Sequence, residues 1–268
     1  MLQIDLSDKK YLVTGGAGTG VGAGVCQAIA ACGGHILLND INFEKAETAA
    51  KKYPNAFPIP GDISDLKDVE RIFNIIEKEH GTVHGLINNA GVGLRRKAHL
   101  AEESEFENLY NIDVKGVWMM TKAFVNQLVG NDLKGSIVNI SSVHAHETLS
   151  KYAIYASAKA AVEGLTRGMS IELGEHGIRC NAIAPGYVDS QQNWDAAASW
   201  TDNPANFFDE QKNDYQSLRH PINALDCGNV VVFLLSDLSR SITGQTIIVD
   251  AGLTNLLHAN SFIRDKND

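Results

Sequence analysis

The chain has 268 residues, of which 44% are hydrophobic and 21% are charged, and this composition excludes disordered and collagen-like proteins. Its formal net charge of -9 disfavours binding to nucleic-acid phosphates or to an anionic membrane surface unless a local basic patch is present. The basic cluster at 95–97 is typical of a solvated loop, so we expect neither nucleic acid nor membrane as a partner.

The sequence lacks the patterns typical of membrane-spanning helices, secretion signals and zinc sites. No stretch approaches the roughly 18 apolar residues of a membrane-spanning helix, and residues 1–5 lack a basic segment followed by an apolar one. The 4 cysteines form no Cys-x-x-Cys pair, which argues against a disulfide framework and against a zinc site. We therefore expect a cytoplasmic protein that binds no metal.

Short apolar runs alternate with helix-length segments along the chain. The runs predict buried strands at 10–13, 35–38, 85–87, 136–140, 180–183 and 246–249. The intervening segments predict helices at 21–32, 43–52, 65–80, 103–129, 152–174 and 227–236. Strands separated by helices pair in parallel through right-handed crossovers. We therefore expect one α/β domain over residues 1–268, with a Rossmann-like doubly wound parallel sheet flanked by helices on both faces.

Residues 188–224 interrupt this regular alternation. The segment is polar, contains Trp194 and Trp200, and is much longer than most connections in compact domains. Such insertions are often functional, so we predict a lid over a substrate site. The tail from Asn255 has no strong pattern and predicts either disorder or a cover over a neighbouring subunit.

A glycine-rich segment, Thr14 to Gly24, follows the first strand and opens the first helix. Glycines let the backbone approach a pyrophosphate, and the helix N-terminus offers free N–H groups with a partial positive charge. Asp40 ends the second strand, where a carboxylate can accept hydrogen bonds from ribose hydroxyls and repels a 2′-phosphate. The sequence therefore predicts a dinucleotide site that prefers NAD to NADP, and Asp40 could also cap the turn that follows it.

Ser142, Tyr155 and Lys159 form a second constellation. Tyr155 and Lys159 are four residues apart on a predicted helix, so their side chains share a face. A free tyrosine ionises near pH 10, and a neighbouring ammonium stabilises the phenolate enough for proton exchange with an alcohol. Ser142 follows a strand and could hydrogen-bond the same substrate oxygen. Alone, the Tyr-x-x-x-Lys pair is typical of a surface helix, but with the glycine turn it predicts catalysis.

Together these motifs resemble the short-chain dehydrogenase/reductase family, from about Asp5 to Thr254. Thr14 to Gly22 resembles the family's Thr-Gly-x-x-x-Gly-x-Gly turn, and Asn88 to Gly91 matches its Asn-Asn-Ala-Gly element residue for residue. Ser142, Tyr155 and Lys159 match the catalytic positions, including the spacing of 13 between serine and tyrosine. The resemblance implies cofactor contacts from Gly16, Gly18, Thr19, Gly20, Val21, Asp40, Ile41, Asp62, Ile63, Asn89, Ala90, Gly91, Tyr155, Lys159, Pro185, Gly186, Val188 and Ser190.

The resemblance also implies reversible hydride transfer between C4 of a nicotinamide and the carbon of a secondary alcohol or carbonyl. Tyr155 would act as general acid and base, Lys159 would hold the nicotinamide ribose and stabilise the phenolate, and Ser142 would position the reacting oxygen. No metal is required in this chemistry.

Two positions depart from the family pattern. The glycine turn has one extra residue after Thr14, which predicts a bulge around the pyrophosphate. The family's Asn-x-x-Gly motif is matched by Asp113 to Gly116, so an aspartate replaces the catalytic asparagine. The family role depends on a backbone carbonyl that holds a water linked to the lysine, and a nearby carboxylate would keep Lys159 charged. We predict that Asp113 is functional and that Asn111 is a surface residue.

Polar residues around Ser142 predict a polar substrate. His144 and Tyr155, with Arg95 and Trp194, complete the candidate substrate set and favour a sugar, polyol, uronate or hydroxy acid. Each has a structural alternative: Arg95 could pair with an acid at 102–103, Trp194 could pack in the core, and His146 could face solvent. Alternative functions are an NAD-binding regulator or scaffold, a reductase of hydrophobic alcohols, steroids or oxoacyl groups, and an epimerase, which usually carries a larger C-terminal substrate domain.

We also expect a homotetramer, because the family's two long helices commonly pair across two-fold axes. On the helix at 152–174, small residues recur every four positions, at Ala156, Ala160, Gly164 and Gly168. Such a ridge allows close approach of another helix, although packing against the chain's own sheet would explain it equally well.

Overall fold

The structure, a computed structural model, describes residues 3–262. Its strands are β1 (Lys10–Thr14), β2 (His35–Asp40), β3 (Ala56–Pro60), β4 (Gly85–Asn88), β5 (Gly135–Ile140), β6 (Ile178–Pro185), β7 (Val188–Asp189), β8 (Ile222–Asn223) and β9 (Thr246–Val249). Its α-helices are α1 (Val21–Ala31), α2 (Phe43–Ala50), α3 (Leu66–Glu79), α4 (Glu103–Tyr110), α5 (Val117–Gly130), α6 (Ala153–Glu172), α7 (Gln191–Ala198), α8 (Pro204–Asp214) and α9 (Ala224–Leu235).

Seven of the strands form one parallel sheet in the order β3-β2-β1-β4-β5-β6-β9. The predicted α/β doubly wound fold is therefore confirmed. The strand order reverses between β1 and β4, and a ligand crevice opens outside the carboxyl ends of strands at such a point. Within residues 3–262, no helix combines the length and the apolarity needed to cross a membrane.

Strand β3 was absent from the sequence-based prediction because it contains two prolines, Pro58 and Pro60. The strand lies at the edge of the sheet and pairs only with β2. Gly61 donates its N–H to Asp40 O, so the alternate residues 58 and 60 turn their nitrogens to the open edge. A missing donor costs no ladder hydrogen bond there, which is why an edge strand tolerates proline.

The predicted single helix at 103–129 is interrupted in the structure. Residues Asn111–Gly116 form a π-helical turn between α4 and α5. Asn111 is exposed, as predicted, whereas Asp113 is only 1% exposed. Gly116 packs on Ile63, whose Cδ1 would lie 2.9 Å from a Cβ at this position. Local periodicity cannot indicate such a turn, because contacts with other segments determine it.

The core occupies both faces of the sheet. One cluster packs α1 and α9 against the sheet, and the other packs α3 and α5 against the opposite face. Helices α1 and α9 approach through glycines: a Cβ at Gly24 would overlap the carbonyl of Ala224, and one at Gly228 would overlap that of Gly24. This contact fixes the helix that begins at the glycine-rich turn.

The long segment at 188–224 is ordered into β7, α7, α8 and β8, with β7 and β8 paired as a separate two-stranded sheet. The described part of the tail packs on the same chain: Asn260 donates to the carbonyls of Asn213 and Gln216, each at 2.9 Å. Of the predicted tail, residues 263–268 lie outside the described residues.

Candidate active site

The carboxyl ends of β1 and β4 are held together by side-chain hydrogen bonds. The Thr14 hydroxyl accepts from the backbone N–H groups of Asn89 and Ala90, each at 3.0 Å. The Asn89 amide donates to the carbonyls of Thr14 and Gly15, at 2.9 and 3.0 Å. These bonds hold the ends of β1 and β4 together at the base of the crevice, and the glycine turn follows directly from β1.

The glycine turn has the properties of a phosphate cradle. Gly15 has a φ of +64°, and a Cβ there would lie 2.7 Å from the Cα of Ala90. Helix α1 starts at Val21 without a side-chain cap and without an acidic residue in its first turn, whereas Asn42 and Asp65 cap α2 and α3. The first amides of α1 therefore keep their donors available for a phosphate.

The second half of the glycine turn contacts the segment at 188–224. The Thr19 hydroxyl accepts a hydrogen bond from the backbone N–H of Gln192 at 3.2 Å. A Cβ at Gly20 would lie 3.2 Å from Oε1 of the same glutamine. These contacts join the glycine turn to the start of α7, and no motif in the sequence indicates them.

The remaining predicted cofactor residues lie at strand ends along the same edge. Asp40 accepts from the N–H of Asn42 at 3.0 Å through one carboxylate oxygen, so it caps its own turn, and Ile41 beside it is 72% exposed. Asp62 accepts from Ser64, while Ile63 is buried beneath the π-helical turn. Gly16 packs against Leu38, Gly186 packs against Asp250, and Val188 lies in the core. Pro185 ends β6, Ser190 caps α7, and Gly18 is exposed.

The three predicted catalytic residues come from two neighbouring segments. Ser142 follows β5 and accepts from the backbone N–H of His144 at 3.2 Å, while Tyr155 and Lys159 lie on the first turns of α6. The His144 and Tyr155 rings are 5.6 Å apart, so the serine segment lies beside the tyrosine. The Lys159 ammonium is 5.6 Å from the centre of the Tyr155 ring and donates to the Ile140 carbonyl at 3.2 Å.

Asp113 forms a buried ion pair with Lys159. Its Oδ2 lies 2.9 Å from the ammonium, and its Oδ1 accepts from the N–H of Val92 at 2.8 Å. Oδ2 has no aligned donor, so the contact with Lys159 is mainly electrostatic. Burial lowers the pKa of Lys159, but Tyr155 and Asp113 outweigh it, and the net effect raises this pKa above its usual value. Lys159 is therefore charged.

A second carboxylate near the site was not predicted. Glu163, 5% exposed, accepts from the Ser141 hydroxyl at 2.9 Å and contacts Nε2 of His146 at 3.0 Å. Its position four residues after Lys159, on the same helix face, was the signal available in the sequence. His146 is thus bonded as well as partly exposed, and the segment that carries Ser142 is anchored at both ends.

Aromatic side chains surround the opening beside Tyr155. The His144 ring stacks on Tyr152 at 4.6 Å, and burial lowers the pKa of His144, which is therefore neutral at pH 7. Arg95 lies over Trp200, with its guanidinium carbon 5.1 Å from the ring centre. The alternative in which Arg95 pairs with an acid at 102–103 is not observed.

Trp194 packs inside the segment at 188–224. Its indole N–H donates to Asp189 at 2.6 Å, and its ring stacks on Phe208 at 4.2 Å. Phe207 and Phe208 also contact Tyr187. These contacts favour the packing alternative for Trp194. The tryptophan beside Arg95 is instead Trp200, which was not among the predicted substrate residues. Within residues 3–262, no group of three or more histidine, cysteine, aspartate or glutamate side chains is arranged to hold a metal ion.

Comparison with known proteins identifies relatives over nearly the whole chain. Residues 16–254 match the sequence profile of a family described as Enoyl-(Acyl carrier protein) reductase. The chain is 32% identical over 260 residues to an L-xylulose reductase from Caenorhabditis elegans, covering 94% of this chain and 98% of the relative. It is 30% identical over 252 residues to a galactitol 2-dehydrogenase from Agrobacterium fabrum, covering 92% and 98%.

Solved structures agree with these sequence relationships. A putative gluconate dehydrogenase from Agrobacterium tumefaciens superposes with a TM-score of 0.88 at 25% identity, over 96% of this chain and 100% of the other. A gluconate 5-dehydrogenase from Burkholderia cenocepacia, in complex with NADP and tartrate, superposes with a TM-score of 0.86 at 26% identity, over 95% and 98%.

The buried ion pair leads to a prediction about stability. Asp113→Asn keeps the shape and the acceptor for Val92 but leaves the Lys159 ammonium without its counter-charge. We expect the free energy of unfolding to fall by about 3 kcal/mol, because removing one partner of a buried pair leaves a desolvated charge. Lys159→Met in the same chain should restore most of this loss. Urea denaturation of the two single variants and the double variant measures the coupling, and additive losses would refute the pairing.

Proposed function

Because the chain belongs to the short-chain dehydrogenase/reductase family, we propose that it is an NAD-dependent oxidoreductase acting on a secondary alcohol or carbonyl group of a polar substrate. One arrangement supports this function above all: Tyr155 stands beside a charged, buried Lys159, next to the segment that carries Ser142. A regulator or scaffold would have no need of a buried ammonium held against a tyrosine, so the arrangement favours an enzyme.

The family binds a nicotinamide cofactor, and the glycine turn fits one. The cradle at Gly15, which a Cβ would fill, and the uncapped N-terminus of α1 suit a pyrophosphate. The second oxygen of the Asp40 carboxylate is left to accept from a ribose hydroxyl, which supports NAD over NADP. We assign Lys159 to the nicotinamide ribose and the segment that contains Gly186 and Ser190 to the nicotinamide amide.

The proposed chemistry divides among three side chains. The nicotinamide, when bound, supplies the hydride acceptor or donor at C4. During alcohol oxidation, Tyr155 acts as a phenolate, which the Lys159 ammonium stabilises, and it accepts the proton of the substrate hydroxyl to become the neutral phenol. Ser142 donates a hydrogen bond to the same substrate oxygen as its charge changes. In the reverse direction, Tyr155 returns the proton to the carbonyl oxygen.

Asp113 acts in this scheme through Lys159. Its carboxylate offsets the ammonium charge and fixes the ammonium between the π-helical turn and the Ile140 carbonyl. We therefore assign Asp113 as a positioning residue rather than as a group that touches substrate.

We propose a polar substrate, which is a sugar, polyol, uronate or hydroxy acid. Relatives named L-xylulose reductase and galactitol 2-dehydrogenase support this class. The neutral His144 imidazole and the Tyr152 hydroxyl beside Tyr155 offer hydrogen-bonding groups. We assign the segment at 188–224 as the lid of this site within a single domain, and we propose a cytoplasmic enzyme, in line with four free cysteines.

A homotetramer is proposed from the outer face of α6. Ala160, Gly164 and Gly168 are exposed, and Cβ atoms at the two glycines would meet nothing within 4 Å. The ridge of small residues therefore does not pack on the chain's own sheet, which leaves it available to a second helix.

The function is tested by NADH formation at 340 nm with sugars, uronates, polyols, hydroxy acids and hydrophobic secondary alcohols. We expect activity on one polar class, and Tyr155→Phe should reduce kcat by about 100-fold or more, because the proton acceptor is lost. Thermal denaturation of the variant serves as the folding control. Activity confined to hydrophobic alcohols would refute the polar substrate. Unchanged cellular function in Tyr155→Phe would favour the regulator.

Cofactor preference is tested at Asp40. Asp40→Asn retains the cap on Asn42 but removes the negative charge, so affinity for NADP should rise about tenfold relative to NAD. Titration calorimetry with both cofactors measures the ratio. The matched control is Glu44→Gln, an exposed acid at the start of α2, which should leave the ratio unchanged. An equal response of the two variants would mean that Asp40 does not contact the ribose.

The oligomer is tested by placing a large charged side chain on the ridge. Gly164→Arg should convert the native tetramer into smaller species in sedimentation velocity runs, because the guanidinium prevents close helix approach. Gly174→Arg, also at an open position but beyond the end of α6, should leave the tetramer intact. A native protein that sediments as a monomer at micromolar concentration would overturn the proposal.

A further inference from the structure

We propose that Arg95 and Trp200 form an anion clamp that binds a carboxylate of the substrate, so that the substrate is a carboxylated polyhydroxy compound. The inference rests on the oxidoreductase function proposed above and narrows its substrate class. Arg95 belongs to the loop that follows β4, and Trp200 belongs to the segment at 188–224. The guanidinium carbon lies 5.1 Å from the centre of the indole ring, so the two segments meet at this pair.

Arg95 is a cation without a counter-ion among the described residues. Its neighbour Arg96 is paired with Glu105 at 3.3 Å, and Glu105 in turn caps the start of α4. Arg95 forms no such pair and has no hydrogen bond to residues 3–262, although its loop is tied down by the bond from Arg96 N to Lys151 O at 2.7 Å. An arginine held in place over an aromatic face keeps its in-plane N–H groups free for a ligand.

The clamp lies close to the proposed reacting centre. The N–H of Arg96, the residue after Arg95, donates to the carbonyl of Lys151, which directly precedes Tyr152. Arg95 also partly offsets the burial that raises the pKa of Tyr152. The Tyr152 ring is 6.2 Å from the ring of Tyr155 and stacks on His144. A substrate whose hydroxyl meets Tyr155 can therefore extend along these rings toward Arg95.

The charges around Tyr155 explain why a separate cation is needed. The Lys159 ammonium is neutralised by Asp113 at 2.9 Å, and it contributes little net attraction for an anion. Glu163 adds a negative charge, and its ion-pair partner is the partly exposed His146. In a chain with a net charge of -9, an anionic substrate would be repelled from this opening unless Arg95 attracted it.

The guanidinium matches a carboxylate better than it matches a phosphate here. One carboxylate carries one charge and accepts two parallel N–H bonds from one guanidinium. A phosphate dianion would call for a second cation on the same face, and Arg96 is already engaged by Glu105. The clamp thus selects substrates that carry a carboxylate at a distance from the reacting carbon.

The test compares gluconate with sorbitol, two six-carbon polyols that differ by one carboxylate. The native enzyme should have the higher kcat/KM for gluconate. Arg95→Gln should lower that value by about 10- to 100-fold, chiefly through KM, and leave sorbitol within twofold, because a charge-assisted pair is lost from one substrate only. The kcat/KM of Arg95→Lys for gluconate should lie between those of the native enzyme and Arg95→Gln. Trp200→Leu should raise KM for gluconate by a smaller factor than Arg95→Gln does.

The matched control is Arg96→Gln, an exposed arginine one residue away, which should behave as the native enzyme. A calorimetric titration with gluconate in the absence of cofactor gives a readout independent of turnover, in which Arg95→Gln should weaken binding by the same factor. Equal use of gluconate and sorbitol, with no effect of Arg95→Gln, would refute the clamp and leave the oxidoreductase intact. If Arg95→Gln lowered kcat/KM for sorbitol 6-phosphate but not for gluconate, the anion bound by Arg95 would be a phosphate, and the carboxylate clamp would also be refuted.

Inactivity of the native enzyme on every polar substrate, with NAD still bound, would instead refute the proposed function. The calorimetric titration with gluconate still tests the clamp in that case. Gluconate binding that is weakened by Arg95→Gln supports the clamp, and gluconate binding that is unaffected by this change, or absent, overturns it.

Discussion

The buried ammonium of Lys159 is the group on which the arrangement of the site depends. A charge in a residue that is only 6% exposed requires an opposing charge and hydrogen-bond acceptors, since burial removes its hydration. Asp113 supplies the charge at 2.9 Å, and the Ile140 carbonyl accepts at 3.2 Å. These partners lie on the π-helical turn and at the end of β5, while Lys159 lies on α6. Satisfying one ammonium therefore joins three segments of the chain.

The π-helical turn brings the carboxylate to that ammonium. Two glycines make room for it: Gly116 packs on Ile63, and a Cβ at Gly91 would lie 2.9 Å from Oδ2 of Asp113. Turns of this kind inside helices are frequent at functional sites. A carboxylate at the position of the amide in the Asn-x-x-Gly motif that this turn resembles also changes the charge of the site. The pair with Lys159 is neutral, so attraction for an anion has to come from another residue, which is the role proposed for Arg95.

The segment at 188–224 contacts the glycine turn on one side of the crevice and the loop after β4 on the other. At its start, the N–H of Gln192 bonds to Thr19 in the glycine turn, and farther along Trp200 meets Arg95. Within the segment, the ring of Phe208 packs on the rings of Trp194 and Phe207 and gives the segment a small core of its own. One ordered unit thus contacts both the proposed cofactor cradle and the proposed carboxylate clamp.

The sequence by itself determined six of the seven strands of the main sheet, the glycine-rich turn and the Ser-Tyr-Lys spacing, because each is encoded in local periodicity or in short motifs. Only the tertiary structure decided that β3 is an edge strand, that the helix at 103–129 breaks at Asp113, and that Trp200 rather than Trp194 lies beside Arg95. Only the tertiary structure likewise showed that Glu163 contacts Ser141 and His146 beside the site. These features depend on contacts between residues far apart in the chain, which packing and burial select and local pattern does not record.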